Sequence, residues 1–347
     1  MNNIFKTILG TSFALMVAYY ANTIMTGSAH SGFLVLAALF GAYMAMNIGA
    51  NDVANNVGPA VGSGALSIGG AIIIASIFEA SGSLIAGGDV VGTIKKGIIS
   101  ADAFGGDAML FVYAMSAALL SAALWLNLAT WLKAPVSTTH SIVGGVLGGG
   151  IAAGGFSIVA WGTMGKIVAS WIISPLLGGV IAAIFLYIIK TQILNKEDKV
   201  TAAKKVVPIL VSIMMWAFLT YITIKGLKHI WKDLAQTLTF LPQTKKPTIG
   251  IALIFGLVGA FITYFIVRPR VASKISGMKG ERSDINLLFT IPLIFSAAML
   301  SFVHGANDVA NAVGPLAAVS DALTNLSISS KASIPFGLWQ QEDWVYR

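Results

Sequence analysis

Gly49-Ala50-Asn51-Asp52-Val53-Ala54-Asn55-Asn56-Val57-Gly58-Pro59 returns later in the chain as Gly305-Ala306-Asn307-Asp308-Val309-Ala310-Asn311-Ala312-Val313-Gly314-Pro315. Only one position differs, Asn56 against Ala312. The offset of 256 residues is far too long for a stacked-repeat period, so the identity points to an internal duplication. Each copy follows directly on an apolar run, residues 32–48 and 287–303. A carboxylate and two or three amides therefore stand where a membrane helix ought to continue. Glycine and proline bracket each copy, and the backbone is expected to unwind there. In lipid, irregular backbone survives only where it is buried in protein or lines a watery cavity. Paired, interrupted, polar segments at matching places in two halves point to a transporter's binding site.

Composition agrees with a membrane reading. Of 347 residues, 56% are hydrophobic and 10% are charged, and the mean hydropathy is +0.82. A soluble domain carries about 25% charged residues. The 37 glycines fit close helix–helix packing in a bilayer. There is no cysteine, which excludes disulfides and thiolate metal sites. The net charge of +8 sits mostly in short loops between apolar runs, so it reads as membrane orientation and not as nucleic-acid binding.

The expected fold is all-α: a polytopic protein of the cell membrane with inverted structural repeats, broken helices and a re-entrant half helix. Spans are expected at 4–24, from 32 into the first motif, and at 68–86, 108–132, 167–189, 206–224 and 248–267. A last span, 287–303, runs into the second motif. Residues 90–106 form a polar connection with Asp89, Lys95, Lys96, Asp102 and Asp107 in or beside it. Residues 141–155 are short for a complete span of about 20 residues and suggest a half helix. Residues 225–246 suggest an interfacial helix followed by a loop. The basic loops 190–205 and 268–284 lie on one side, taken as cytoplasmic. The first motif is then entered from outside and the second from inside, the parity of an inverted repeat. The expected divisions are an extra N-terminal helix at 1–31, a first repeat at 32–189, a connecting region at 190–286 and a second repeat at 287–347.

Asp52 and Asp308 are the leading candidates for chemistry. A carboxylate near mid-membrane costs about 2.5–3.5 kcal/mol on insertion scales and persists only with a partner. No Lys or Arg lies in the adjacent spans, so a bound cation is the natural one. Na⁺ is hard and prefers oxygen, which Asp carboxylates, Asn amides and unwound carbonyls supply. At helical spacing Asn51 shares a face with Asn55, and Asn307 with Asn311. The competing reading is a polar clamp between packed helices. Glu79 is a third intramembrane acid: a cation ligand or proton carrier, or else a neutral group bonded to a neighbouring helix.

Pro135-Val136-Ser137-Thr138-Thr139-His140 suggests a capped helix start. Three hydroxyls at the positive end of a helix make an anion site, or simply a cap. His140 and His304 are candidates to donate to an anion or to position a carboxylate, with a structural role equally open. The four histidines of the chain show no zinc-site spacing.

The duplicated motif, Phe78-Glu79 and Pro135 to His140 together resemble the inorganic phosphate transporter family, over nearly the whole chain. The resemblance implies secondary, cation-coupled uptake of orthophosphate through an inverted-repeat fold, without enzymatic chemistry. It implies a cation region at Asp52, Glu79 and Asp308, with Na⁺ at these carboxylates, beside Asn51 and Asn307. It implies a phosphate region at Asn55, Ser137, Thr138, Thr139, Asn311 and His304. Inorganic phosphate and the lipid bilayer are the expected partners, with a homo-oligomer as a compatible assembly. No cofactor is expected besides Na⁺ or H⁺ as coupling ion. The 256-residue offset places the second half's counterparts of Glu79 and of 135–140 at position 335, which is Pro335, and at 391–396, past Arg347. The second repeat is therefore expected to be cut short, and the chain by itself to insert without taking up phosphate. Three other functions compete: transport of another oxyanion such as sulfate, an intramembrane enzyme pairing Asp52 with Asp308, and a truncated, non-transporting family member.

Overall fold

A computed structural model describes residues 3–87, 98–99, 104–228, 230–275, 281–326 and 328. The expectations for Asp89, Lys95, Lys96 and Asp102, and for everything from 329 onward, lie outside those residues. Among the described residues eleven α-helices follow in order: α1 Asn3–Ile24, α2 Ser31–Gly62, α3 Ile68–Ala86, α4 Ala108–Trp131, α5 Thr138–Gly154, α6 Trp161–Ile189, α7 Lys199–Lys225, α8 Trp231–Thr237, α9 Ile249–Ile275, α10 Arg282–Leu288 and α11 Thr290–Asn325. Seven of them, α2, α3, α4, α6, α7, α9 and α11, are long and apolar enough to cross a membrane. The exposed faces fit hydrocarbon: α6 turns Ile172, Leu176, Val180 and Ile184 outward. The predicted span at 4–24 is helical as α1 but is not among the seven.

The helices carrying the motif do not unwind. α2 runs unbroken through the first copy with Pro59 inside it, and α11 runs through the second with Pro315 inside. Proline removes one ladder bond, the one to the carbonyl four residues before it, here Asn55 and Asn311. A packed membrane helix tolerates that loss when neighbours satisfy the freed groups. The expected break is thus reduced to one missing hydrogen bond per copy. The short segment is as anticipated: α5 has 17 residues and is capped by Ser137.

The chain divides into two compact units, one of residues 1–56, 77–168 and 301–347, the other of 57–76 and 169–300. In the first, small residues let backbones meet. Gly145 and Gly149 on α5 face Ala118 and Ala114 on α4, where an added Cβ would lie 2.8 and 2.7 Å from the alanine carbonyl oxygens. This is membrane packing through small residues four apart. Gly82 on α3 and Gly305 on α11 do the same, each filling its place against the other helix's backbone at Phe302 and Glu79. On α2, a Cβ at Gly41 would lie 3.3 Å from Leu316 Cδ2, while Asp52 lies beside His304. Ascending α2 is therefore descending α11, and the two motif copies run in opposite directions where they meet.

The second unit is built on α7 and α9, which run antiparallel. Gly256 admits Trp216 and Thr220 at one end, and Val271 packs with Val207 and Val211 at the other. The core there continues through Ile193, Ala203, Ile285 and Leu288. Residues 225–246 hold α8, whose Trp231 is fully buried and donates its ring N–H to Thr244 Oγ1 at 3.1 Å.

Candidate functional site

The site lies within the first unit and starts from the turn between α4 and α5. α4 ends with Lys133 in the left-handed region, φ 57°, a conformation few non-glycine residues adopt. Pro135 follows, and Ser137 caps α5 by accepting from the His140 amide at 3.2 Å. Asn51 holds this turn. Its Nδ2 donates to Thr130 Oγ1 at 3.0 Å and to the Ala134 carbonyl at 3.2 Å, and its Oδ1 accepts from the Val136 amide at 3.2 Å. The expected cation ligand is instead turned to the entry of α5. The reason is local: a strained turn leaves backbone groups that need a partner, and a carboxamide offers both kinds.

The capped start of α5 brings two threonines onto the two motif carboxylates. Thr138 donates to Asp52 Oδ2, and Thr139 donates to Asp308 Oδ1 at 3.3 Å. Asn311 Nδ2 donates to Thr139 Oγ1 at 3.1 Å and to Asp308 Oδ1 at 3.4 Å. Asn311 is fully buried, and its Oδ1 has no hydrogen-bond donor among the described residues. The amides of Thr138 and Thr139 occupy the first positions of α5, where helix N–H groups have no intrahelical acceptor.

His304 is the hub of the cluster. Its Nε2 lies 3.0 Å from Asp308 Oδ2 and 3.7 Å from Asp52 Oδ2, and its Nδ1 lies 3.1 Å from Glu79 Oε1. Glu79 reaches it because Gly305 lets α3 touch α11 at that level. Asn56 donates to the same Glu79 oxygen at 2.9 Å. One ligand atom from each of Asp52, His304 and Asp308 fits within 4.8 Å of the others, a spacing that suits a single cation.

Asp52, His304 and Asp308 line a cavity of about 320 Å³ whose wall also includes Asn55, Asn56, Ser137 and Thr138. It would hold roughly ten waters at liquid density. Of the residues singled out in the sequence, Asp52, Glu79, Thr138, Thr139, His304, Asp308 and Asn311 form one group joined by hydrogen bonds and, through His304, by ion-pair contacts. Asn55 and Ser137 lie on the cavity wall, Asn51 stands behind it, and Asn307 and His140 are exposed. Asn56 belongs to the group as well. Its signal in the sequence was the single mismatch between the motif copies.

Membrane-length helices that enclose carboxylates, a helix start and hydroxyls around one polar cavity define a multi-pass integral membrane protein of the transporter class. Residues 48–345 match the phosphate transporter family, and the chain belongs to that family, one of transporters and not of enzymes. It is 50% identical to a "Putative phosphate permease" of Helicobacter pylori over 88% of this chain and 55% of that protein. It is 35% identical to "Inorganic phosphate transporter 2-1, chloroplastic" of Arabidopsis thaliana, over 85% of this chain and 52% of that one. A solved structure, "The sodium-dependent phosphate transporter", superposes with a TM-score of 0.77 at 32% identity, covering 89% of this chain and 72% of that one. The chain spans about half the length of the curated relatives it matches first.

Proposed function

We propose that the chain serves in symport of inorganic phosphate with Na⁺ across the membrane. The observation that carries this reading is the meeting of Asp52 and Asp308 with the Ser137-capped start of α5 around one cavity, with Glu79 bonded to its lining residues Asn56 and His304. Cations would take the carboxylates. Phosphate would take the Ser137 hydroxyl, the first amides of α5 and the Asn55 amide, a helix start being a ready anion site. Phosphate carries one to two negative charges at neutral pH and cannot approach Asp52 and Asp308 unscreened. Cation binding would remove that repulsion, so each ligand would raise the other's affinity. The name of the solved relative supports Na⁺ over H⁺ as the coupling ion.

In this reading the motif copies belong to two inverted repeats, residues 32–189 and 287–347, with 1–31 an added helix and 190–286 a connection. Asn307 keeps its place as a candidate cation ligand, and Asn311 and His304 keep theirs as candidate phosphate ligands. Hydroxyls and helix ends also suit other tetrahedral oxyanions, so sulfate is the competing substrate. The test is uptake of radiolabelled phosphate into proteoliposomes by the chain extended with the C-terminal part of a longer relative, since the chain by itself is expected to insert without taking up phosphate. Na⁺ and proton gradients are imposed separately, with unlabelled sulfate as competitor. Uptake driven by Na⁺ and indifferent to sulfate is expected. Uptake driven only by protons, or displaced by equimolar sulfate, would replace this reading.

A further inference from the structure

The start of α5 is gripped by both motif copies at once. Thr138 bonds to the carboxylate of the first copy, 86 positions away, and Thr139 to that of the second, 169 positions away. Other helix threonines bond to carbonyls, as Thr130 does to Leu126 at 2.8 Å and Thr223 to Leu219 at 2.7 Å one turn back, and Thr220 to Ala252 of a neighbouring helix at 3.4 Å. Capping does not account for the difference, because Ser137 already caps the helix. Thr138 is 1% exposed, yet it lines the cavity beside Ser137 and Asp52. Two adjacent side chains thus connect the carboxylates with the helix end.

A hydroxyl has one proton to donate. It cannot serve a carboxylate and an oxyanion together. A cation seated on Asp52 or Asp308 withdraws electron density from the oxygens and competes for their lone pairs. Where the cation takes the oxygen that the threonine uses, Oδ2 of Asp52 or Oδ1 of Asp308, its charge repels the threonine proton and that acceptor is lost. Rotation about χ1, a change between staggered wells, re-aims it.

We propose that the Thr138 and Thr139 hydroxyls are the link between cation and anion binding: each donates to a motif carboxylate until a cation claims that carboxylate, and then donates to the anion at the α5 start. This deepens the phosphate-symport reading and rests on it. Thr138 and Thr139 are accordingly positioning residues for the cation side and ligands for the anion side. The cation's effect on anion affinity therefore has two parts, charge screening and the release of donors. Only the second part requires these hydroxyls.

The test measures radiolabelled phosphate binding to the purified full chain across a series of Na⁺ concentrations, at constant ionic strength. Wild-type affinity should rise with Na⁺ by a factor within about 5–150, the usual range of such coupling. In the double variant Thr138→Val, Thr139→Val the same rise should shrink to less than about half its wild-type factor, a loss of coupling and not merely of affinity. Thr138→Ser keeps the proton and should restore the rise. If the double variant does not fold, Thr139→Val alone should lower the factor part of the way. A valine variant that binds phosphate more weakly at every Na⁺ concentration, but with the full wild-type rise, would overturn the link and leave the hydroxyls as anion ligands only. Wild-type phosphate binding that ignores Na⁺ overturns both the link and the Na⁺ coupling, and no phosphate binding at all sinks the substrate itself.

Discussion

The two motif copies share ten of eleven residues, yet the same residue types do different work in each. In the first, Asn51 bonds three ways to the turn before α5, whereas its twin Asn307 is exposed. Asn55 is exposed at the cavity wall, whereas its twin Asn311 is fully buried against Thr139 and Asp308. Asn56 holds Glu79, and Ala312 stands in its place. Gly49 has open space around it, while Gly305 lies against the Glu79 backbone. A duplicated sequence supplies matching groups, and the neighbours of each copy decide their use. The single half helix α5 sits among both copies and meets each through non-equivalent positions: Asn51 and Asp52 from one, Asp308 and Asn311 from the other.

The largest effect should come from the one position where both copies act alike. Asp52→Asn keeps shape and removes charge, and it should lower Na⁺-driven phosphate uptake by about 10- to 100-fold or more, since hydrogen bonds to charged groups are worth about 1.5–3 kcal/mol. Membrane abundance should be unchanged. Asp308→Asn should cost less, because the Asp308 side chain is 20% exposed against 8% for Asp52. Uptake assays at matched abundance check both, and a heavier loss at Asp308 would reverse the ranking of the copies.

Next come the twin glycines. Gly305→Ala places a methyl on the Glu79 carbonyl, and overpacking of this kind costs about 1–3 kcal/mol. Gly49→Ala meets nothing within 4 Å and should fall within about 1 kcal/mol of wild type, with the helix preference of alanine in its favour. Thermal unfolding of the detergent-solubilised chain separates them. Equal shifts would mean that α3 does not press on α11 at Gly305.

The twin asparagines sharpen the comparison further. Asn51→Ala removes hydrogen bonds worth about 1 kcal/mol each and should weaken phosphate binding about tenfold by loosening the α5 start, with less effect on Na⁺. Asn307→Ala should change phosphate binding less than about twofold when Na⁺ is absent, and any larger loss should appear on the Na⁺ side, where Asn307 is a candidate ligand. Greater loss of Na⁺ than of phosphate in Asn51→Ala would return Asn51 to the cation ligands.

The smallest effect lies outside the motifs and serves as a control. Asp198 caps α7 by accepting from the Thr201 amide at 2.9 Å. Hydrogen bonds from Thr201, its side chain first and its backbone second, hold the Asp198 carboxyl below its usual range. A lowered native value means the cap contributes above the ordinary carboxyl pKa and is lost as pH falls through the lowered one. The protection of the Thr201 amide against exchange, taken relative to its intrinsic rate at each pH, should therefore fall on acidification below the ordinary Asp range, near pH 4. The same pH change should produce little difference in Asp198→Asn, whose amide oxygen accepts at every pH.

Most of the membrane helices were legible because hydrophobic length is a one-dimensional property. The apolar runs at 68–86 and 108–132 became α3 and α4, and Pro135 to Ser137 announced the capped start of α5. The expected unwinding at the motifs was wrong because glycine and proline weaken a helix only by local terms, and α2 and α11 continue through them. The bonds of Asn51 to Thr130, Ala134 and Val136 were not legible, because spacing along one helix says nothing about which turn of another helix lies opposite.

Alone, the sequence determined that the chain is a membrane protein, that its polar motif is duplicated, and that Asp52, Glu79, Asp308 and the Ser137-Thr138-Thr139 run are chemically out of place among apolar neighbours. These facts rest on residue type and on the energy of burying charge in hydrocarbon, which any reader of the chain can apply. Tertiary structure decided that His304 bridges three carboxylates, that Asn56 holds Glu79, and that Thr138 and Thr139 divide between the two copies. Those contacts join residues up to 252 positions apart, as from Asp52 to His304. Hydrogen bonds act over about 3 Å. Only the close approach of α3 and α11 at two glycines, and the seating of α5 between α2 and α11, brings such distant residues within that reach.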